Sequence, residues 1–199
     1  MDAASSVPQR LIVGITGASG TIHGIRLLEM LRERGVETHL VLSQWGARTL
    51  VHETSYTVAQ VQDLAAERYA IGDVGAAIAS GSFLTMGMII VPCSMRTLGA
   101  IAHGVGDNLI HRAADVVLKE RRRLVLAVRE APLSEIHLEN MLKLARMGVS
   151  ICPPAPAFYT RPASVEEMVD YSVTRLLDQL NIHLAVPGRW DGELRKPAR

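Results

Sequence analysis

The sequence predicts a single α/β domain in which helices cover both faces of a parallel sheet. Short apolar runs, each the length of a strand, alternate along the chain with longer segments of helical period. Each run is apolar throughout instead of alternating with polar residues, which is typical of strands buried on both faces. The length of 199 residues suits one domain with a substantial core. These three observations indicate a Rossmann-like, flavodoxin-like fold.

Five runs are predicted as strands and five segments as helices. The strands are residues 11–16, 38–42, 86–91, 124–128 and 149–152. The helices are residues 21–34, 95–102, 108–122, 134–147 and 164–180. Residues 55–85 are less periodic and are interpreted as a helical excursion. We expect a flexible N-terminus over residues 1–10, the ligand-binding domain over 11–190 and a C-terminal tail over 191–199.

Composition and charge exclude several classes of protein. The 21 basic and 20 acidic residues leave a net charge of +1, unlike the basic footprint of a nucleic-acid-binding protein. Cys93 and Cys152 are too few and too far apart for a disulfide framework or a zinc site. The first ten residues lack the apolar stretch of a signal peptide, and no apolar run approaches the length of a membrane helix. The sequence therefore predicts a cytoplasmic protein without a nucleic-acid partner, a membrane partner or a bound metal.

The hydrophobic content predicts self-association. Hydrophobic residues make up 48% of the chain but aromatic residues only 4%. Because the interior of a small domain is limited, some of this aliphatic surface is expected to lie between subunits of a homo-oligomer. Alanine-rich helices are the alternative explanation.

The residues that follow the predicted strands are those expected of a ligand site. In an open α/β sheet, ligands bind beyond the carboxyl ends of the strands. Residues 17–20 follow the first strand, and their glycines together with Ser19 could hold a phosphate at the N-terminus of the next helix. The spacing is not the Gly-x-Gly-x-x-Gly of dinucleotide sites, and a tight strand-to-helix turn is the alternative.

The second strand end favours a mononucleotide such as FMN over NAD. Proteins that bind NAD usually place Asp or Glu there, but this chain has Ser43 followed by Gln44. Ser94 and Thr97 open the helix after the third strand, where Ser94 could be a helix cap, a ligand contact or both.

Several charged residues on or beside apolar segments suggest a second, anionic ligand. For Arg112, the alternative to ligand binding is a salt bridge with a nearby acid. For Lys119, the alternative is pairing with Glu120 or Asp115. The remaining residues of this set are Arg129, Glu130, Tyr159 and Arg175.

Nine segments, in order and spacing, resemble the flavin prenyltransferases over essentially the whole chain. They are GITGASG (14–20), VLS (41–43), SGSF (80–83), VPCSMRTL (91–98), DNLIHRAADVVLKERR (107–122), LAVREAPL (126–133), IHLENMLKLARMG (136–148), PPAPAFY (153–159) and RW (189–190).

The resemblance implies a role for each matching residue. Those at FMN-binding positions are Gly17, Ala18, Ser19, Ser43, Ser94, Met95, Arg96, Thr97, Arg112 and Arg129, although Lys is common in the family where this chain has Arg96. Those that match the cradle for dimethylallyl phosphate are Lys119, Arg129, Glu130, Tyr159 and Arg175. Glu53 matches an acid/base glutamate and Trp190 an aromatic residue over the prenyl group, and Lys119 and Glu130 count with them as catalytic.

The resemblance also implies an activity and partners. It implies metal-independent transfer of a dimethylallyl group to reduced FMN, a dodecamer with sites between subunits, and supply of prenylated FMN to a separate decarboxylase. Two alternatives are a carrier that delivers flavin unchanged and a flavin-dependent cysteine decarboxylase. The second would use a catalytic histidine and a Pro-x-Met-Asn loop, whereas this chain has Pro92, Cys93, Ser94 and Met95 without an Asn.

Overall fold

The computed structural model describes residues 9–184, 189–190 and 192, which form one six-stranded sheet flanked by seven α-helices. The strands are Arg10–Ile15 (β1), Glu37–Leu42 (β2), Glu67–Tyr69 (β3), Gly87–Cys93 (β4), Arg123–Val128 (β5) and Ser150–Ile151 (β6). The helices are Thr21–Glu33 (α1), Gln44–Glu53 (α2), Val58–Gln62 (α3), Met95–Ala102 (α4), Leu109–Lys119 (α5), Glu135–Arg146 (α6) and Val165–Asp178 (α7).

The sheet is parallel throughout and has the strand order β3-β2-β1-β4-β5-β6. The chain winds outward from β1 in one direction and from β4 in the other, so the topology reverses between these two strands. Ligands of doubly wound folds bind in the crevice beyond the carboxyl ends at such a switch point. The predicted Rossmann-like α/β class is confirmed.

Two hydrophobic cores lie on opposite faces of the sheet, because successive side chains of a strand point to opposite sides. From β1, Leu11, Val13 and Ile15 join the core under α1 and α7. Ile12 points the other way, into the core under α4, α5 and α6. Both sides of β4 are buried as well, which explains why these strands are apolar throughout.

The structure corrects the prediction at four places. Residues 55–85 contain a strand, β3, which has no apolar run because it is a short edge strand with largely exposed side chains. β1 spans Arg10–Ile15, one residue earlier than the predicted strand over 11–16. β4 continues through Cys93, so Ser94 is the first residue after it. Residues 44–53, which were not predicted as a helix, form α2.

None of the described helices combines the length and apolarity needed to cross a lipid bilayer. The predicted tail, residues 191–199, lies outside the described residues except for Gly192.

Candidate active site

A cleft of about 330 Å³ opens at the switch point, beyond the carboxyl ends of β1, β2 and β4. We call it the switch-point cleft. Its lining includes five residues selected from the sequence: Gly17, Ser43, Ser94, Arg96 and Thr97.

Thr16 ties the two central strand ends together at the floor of the cleft. Its backbone N–H and its hydroxyl both donate to the carbonyl of Pro92, at 3.2 and 2.8 Å. The Thr16 Oγ1 also accepts from the backbone N–H of Ser94 at 2.8 Å. Because Thr16 is buried, this bridge fixes the loop after β1 relative to the start of α4.

Ser43 and Ser94 cap the two helices that begin at the cleft. The hydroxyl of Ser43 accepts from the N–H of Gly46 at 2.9 Å, and that of Ser94 accepts from the N–H of Thr97 at 3.3 Å. Ser94 therefore is a helix cap, and its hydroxyl also donates to the Oγ1 of Thr97 at 3.2 Å. Because a hydroxyl hydrogen can rotate, the group can instead turn toward a ligand. The N-termini of α2 and α4 bring partial positive charge to the cleft.

Gly17 is required by packing inside the protein. A Cβ at this position would overlap the Cβ of Trp45 in the first turn of α2. Trp45 lines the cleft with its side chain mostly exposed, and the guanidinium of Arg48 lies 4.9 Å from its ring centroid. The glycine allows the β1 loop and α2 to approach each other at the cleft wall.

Glu53 occupies the N-terminus of α1, where the sequence suggested a phosphate. Its Oε2 accepts from the N–H of Gly20 at 2.9 Å and from the N–H and hydroxyl of Thr21, each at 3.1 Å. Burial opposes ionisation, but hydrogen bonds from Ser19, Gly20 and Thr21 outweigh it and lower the pKa of the Glu53 carboxyl. The predicted anion slot at α1 is thus filled by the chain's own carboxylate, which leaves α2 and α4 to face a ligand phosphate.

Arg129 and Glu130 follow β5, next to the strand that leads into α4. The N–H of Arg129 donates to the carbonyl of Cys93 at 3.2 Å. Both side chains are exposed. Arg96, on the first turn of α4, is also exposed and lies 3.7 Å from Asp107, while Met95 packs against the core below. This edge therefore presents two arginines beside the cleft.

A second group of side chains, which we call the α7 cluster, lies on α7 and the segments before and after it. Its members are Tyr159, Tyr171, Arg175, Asp178, Arg189 and Trp190. The hydroxyls of Tyr159 and Tyr171 form a hydrogen bond, and the rings of Tyr159 and Trp190 pack edge to face with centroids 5.7 Å apart. The cluster brings together Tyr159, Arg175 and Trp190, three of the residues assigned to the prenyl donor.

Comparison with known proteins places the chain. A family model described as Flavoprotein matches residues 3–177. A probable UbiX-like flavin prenyltransferase of Bacillus subtilis is 57% identical over 183 residues, which are 92% of this chain and 90% of that protein. The chain belongs to the flavin prenyltransferase family.

Two solved structures agree with this placement. AnUbiX (PadA1), crystallised in complex with FMN and dimethylallyl pyrophosphate, has a TM-score of 0.90 and 49% identity, over 94% of this chain and 100% of that chain. A dodecameric FMN-dependent UbiX-like decarboxylase from Escherichia coli O157:H7 has a TM-score of 0.91 and 52% identity, over 92% and 100% of the two chains.

A single copy of this family member does not gather all of the expected residues. Arg112 forms an ion pair with Asp115 at 2.9 Å, and Lys119 pairs with Glu120. Both pairs are the alternatives considered from the sequence. Lys119 ends α5, whose first turn lies at the cleft, and 11 residues of helix span roughly 16 Å. Lys119 therefore lies toward the opposite edge of the sheet, away from the cleft of its own chain.

Seven residues that line the switch-point cleft were not selected from the sequence as site residues: Thr16, Gln44, Trp45, Ile71, Asn108, Ile110 and His111. His111 is buried, and its Nδ1 lies 2.6 Å from the Oδ1 of Asp107. Thr16 was included in a strand, and Asn108 looked like an ordinary helix start. The sequence contained a usable signal for Thr16 alone, because it is a polar residue at the end of an apolar run.

Proposed function

We propose that this chain transfers the dimethylallyl group of dimethylallyl phosphate to reduced FMN and supplies the prenylated FMN to a partner decarboxylase. The observation that carries the proposal is the switch-point cleft, whose two capped helix N-termini and hydroxyl donors suit a mononucleotide phosphate. Membership of the flavin prenyltransferase family supports the reaction.

FMN, as the acceptor substrate, fits the cleft better than a dinucleotide. The end of β2 carries Ser43 and no Asp or Glu that would bond the ribose of NAD. We place the phosphate against the N-termini of α2 and α4, because Glu53 already fills that of α1. Arg129 then lies at the boundary between the flavin and the prenyl donor.

We assign the prenyl donor to the exposed groups beside the cleft and in the α7 cluster. Breaking the allylic carbon–oxygen bond sends its electron pair to the departing phosphate, and Arg129 and Arg175 stabilise that charge. The allylic carbon bonds to N5 of the flavin, which loses its proton. Protonation of the remaining prenyl double bond then gives a tertiary cation, and the adjacent flavin carbon bonds to that cation to complete a fourth ring. Trp190 and Tyr159, which pack together, are the aromatic rings whose faces can stabilise the cationic prenyl fragment.

Ring closure releases a proton, and we assign its acceptance to Glu53 or to the released phosphate. The lowered pKa of Glu53 means that the carboxylate is ionised at neutral pH. Three donors converge on its Oε2, so Oε1 keeps a lone pair for proton transfer.

We propose that a neighbouring copy of the chain completes the site with Arg112 and Lys119. In its own chain, Arg112 pairs with Asp115 and Lys119 pairs with Glu120, so neither contacts the prenyl-donor groups. Three large apolar side chains on α6 are exposed: Ile136, Leu138 and Leu142. Burying them between subunits would explain the aliphatic composition, and a relative from Escherichia coli O157:H7 is dodecameric.

The remaining predictions stay open to test. A location in the cytoplasm fits the two free cysteines, and metal independence rests on the family resemblance. The cysteine decarboxylase alternative is disfavoured because the segment that enters α4 has Ser94 and Met95 and lacks the Asn of the Pro-x-Met-Asn loop.

The decisive experiment is anaerobic incubation of the protein with reduced FMN and dimethylallyl phosphate, followed by mass spectrometry of the extracted flavin. We expect a flavin that is heavier by one five-carbon prenyl unit and that activates a decarboxylase requiring it. Bound but unmodified FMN would support the carrier function instead. A protein that takes up NAD and excludes FMN would refute both.

A further inference from the structure

Asp178, the last residue of α7, accepts hydrogen bonds from three basic side chains. Arg175 donates to its Oδ2 at 2.6 Å, and the Nδ1 of His183 lies 2.9 Å from its Oδ1. Arg189 donates to both oxygens, at 3.0 and 2.8 Å. Only 8% of the Asp178 side chain is exposed, whereas its three partners are much more accessible. The carboxylate is therefore the buried centre of the α7 cluster.

This carboxylate connects the two ends of the proposed prenyl-donor site. Arg189 forms a two-pronged contact with Asp178 and also donates to the carbonyl of Leu184. The next residue, Trp190, packs on the ring of Tyr159. Asp178 thus holds Arg175 through one hydrogen bond and Trp190 through the residue that precedes it.

Helix stability does not account for an acid at this position. The C-terminus of a helix carries partial negative charge, so a carboxylate there is unfavourable and a basic residue is favoured. Burial also opposes ionisation of Asp178, yet hydrogen bonds from Arg189 and His183 and the charges of Arg189 and Arg175 hold its pKa at about 2. Asp178 is consequently ionised at neutral pH because of the cations around it.

The charge balance of the cluster suits an anionic ligand. Two guanidinium groups face one carboxylate, so a positive charge remains. Arg175 uses Nη1 for Asp178, and a guanidinium has further N–H groups in a fixed plane with which to bind a phosphate.

We propose that Asp178 is a positioning residue for the prenyl donor, which orients Arg175 toward the phosphate and anchors Arg189 so that Trp190 stays against Tyr159. The inference rests on the proposed function for its substrate, but the anchoring of Trp190 can be measured without turnover. In this role Asp178 does not touch the reacting atoms.

The kinetic test compares Asp178→Asn with Asp63→Asn. Asp63 precedes β3 and forms an exposed ion pair with Arg68 of that strand. Its substitution therefore also removes one paired carboxylate. We expect Asp178→Asn to raise the KM for dimethylallyl phosphate about tenfold to a hundredfold while the affinity for FMN changes less than about twofold. Asp63→Asn should leave both unchanged. A general loss of folding would weaken both ligands together, whereas the positioning role weakens the prenyl donor alone. The melting temperature of each variant is recorded so that the assays are run where every variant is folded.

The spectroscopic test uses Trp190 as the probe. The chain has two tryptophans, so Trp45→Phe leaves Trp190 as the only one. In that background we expect Asp178→Asn to shift Trp190 emission to longer wavelength and to raise its quenching by acrylamide about twofold or more, because the ring leaves Tyr159. Asp178→Glu keeps the charge. Its Trp190 emission and its KM for dimethylallyl phosphate should therefore lie between those of Asp178→Asn and those of the protein with Asp178.

The two readouts separate the possible failures. If wild-type protein leaves FMN unmodified, the proposed function fails, and Trp190 emission alone decides whether Asp178 anchors the segment. If the wild type is active but Asp178→Asn changes neither the KM for the prenyl donor nor Trp190 emission, the positioning role is wrong.

Discussion

The switch-point cleft and the α7 cluster are built in different ways. The cleft is formed by backbone groups and short hydroxyl side chains: two helix N-termini with their serine caps, a glycine loop and a threonine bridge between β1 and β4. The α7 cluster is formed by long side chains, most of them exposed, that meet around one buried carboxylate.

This difference suggests how the two substrates are recognised. A site of the first kind is largely in place before its ligand arrives, because the sheet and the helix caps hold it. A cluster of exposed side chains depends on ion pairs for its geometry, and such a site is sensitive to single charge changes. We therefore expect substitutions in the cleft to affect FMN binding and stability, and those in the α7 cluster to affect the prenyl donor.

Substitution of Glu53 gives the largest expected effect, because Glu53 is a proposed proton acceptor in ring closure. Glu53→Gln keeps the size of the side chain and one oxygen for the N-terminus of α1, but it cannot accept a proton at neutral pH. We expect ring closure to slow by about 10²–10⁴-fold with FMN still bound. Single-turnover absorbance with reduced FMN measures this, with Glu33→Gln, an exposed acid at the end of α1, as the control. Turnover like the wild type would make the released phosphate the proton acceptor.

Arg175→Ala tests the cluster side of the comparison. Losing a charge-assisted contact to phosphate typically costs about 1.5–3 kcal/mol, which is roughly tenfold to a hundredfold in affinity. We expect that loss for dimethylallyl phosphate in a binding titration, with FMN affinity unchanged. Arg68→Ala, which removes an exposed ion pair on β3, is the control. Normal binding of the prenyl donor would show that Arg175 is a structural partner of Asp178 only.

Gly17→Ala tests the cleft side. The new methyl group would overlap Trp45, so the loop or α2 must shift, at a cost of about 1–3 kcal/mol. We expect lower stability in urea and weaker FMN binding. Gly14→Ala is the matched control, because a Cβ there would meet its neighbours at ordinary contact distances of 3.4 Å and more. Equal effects of the two substitutions would contradict the assigned role of Gly17.

Acid titration tests the ion pairs of the α7 cluster. The pKa of Asp178 falls from an ordinary value near 3.8 to about 2 on folding, so its contribution to stability is present above pH about 4 and disappears as the pH falls toward 2. This contribution is worth roughly 2 kcal/mol. The difference in unfolding free energy between wild type and Asp178→Asn should therefore shrink with falling pH. A difference that is constant down to pH about 2.5 would show that the carboxylate is not held ionised by its partners.

Ser43→Ala gives the smallest expected effect. Loss of the α2 cap should destabilise the protein by about 1 kcal/mol and weaken FMN binding about fivefold. Thr57→Ala removes the cap of α3, which lies outside the cleft, and should cost similar stability without changing FMN affinity. Equal FMN affinity for both variants would mean that Ser43 serves the helix alone.

Local patterns in the sequence determined most of the sheet and five of the twelve residues that line the cleft. Apolar runs located β1, β2, β4, β5 and β6. In β1, β4 and β5 the runs reflect burial on both faces of the sheet. Helical period with a serine at its start located α4 at its observed bounds, 95–102. Reading the residues after each strand found Gly17, Ser43, Ser94 and Thr97, since the carboxyl ends of parallel strands meet at one edge.

Only the tertiary structure decided which distant residues meet. The Thr16 bridge joins residues 76 and 78 positions apart, and the carboxylate of Glu53 reaches the start of α1 from 32 and 33 positions away. β3 escaped prediction because an edge strand with exposed side chains needs no apolar run. The Asp178 centre was also hidden, because a lone acid at a helix end has no local signal, and its partners become apparent only when the chain folds back on α7. The periodicity of the sequence indicates which side chains are buried. Hydrogen bonds between residues far apart in the sequence depend instead on how the strands and helices pack together.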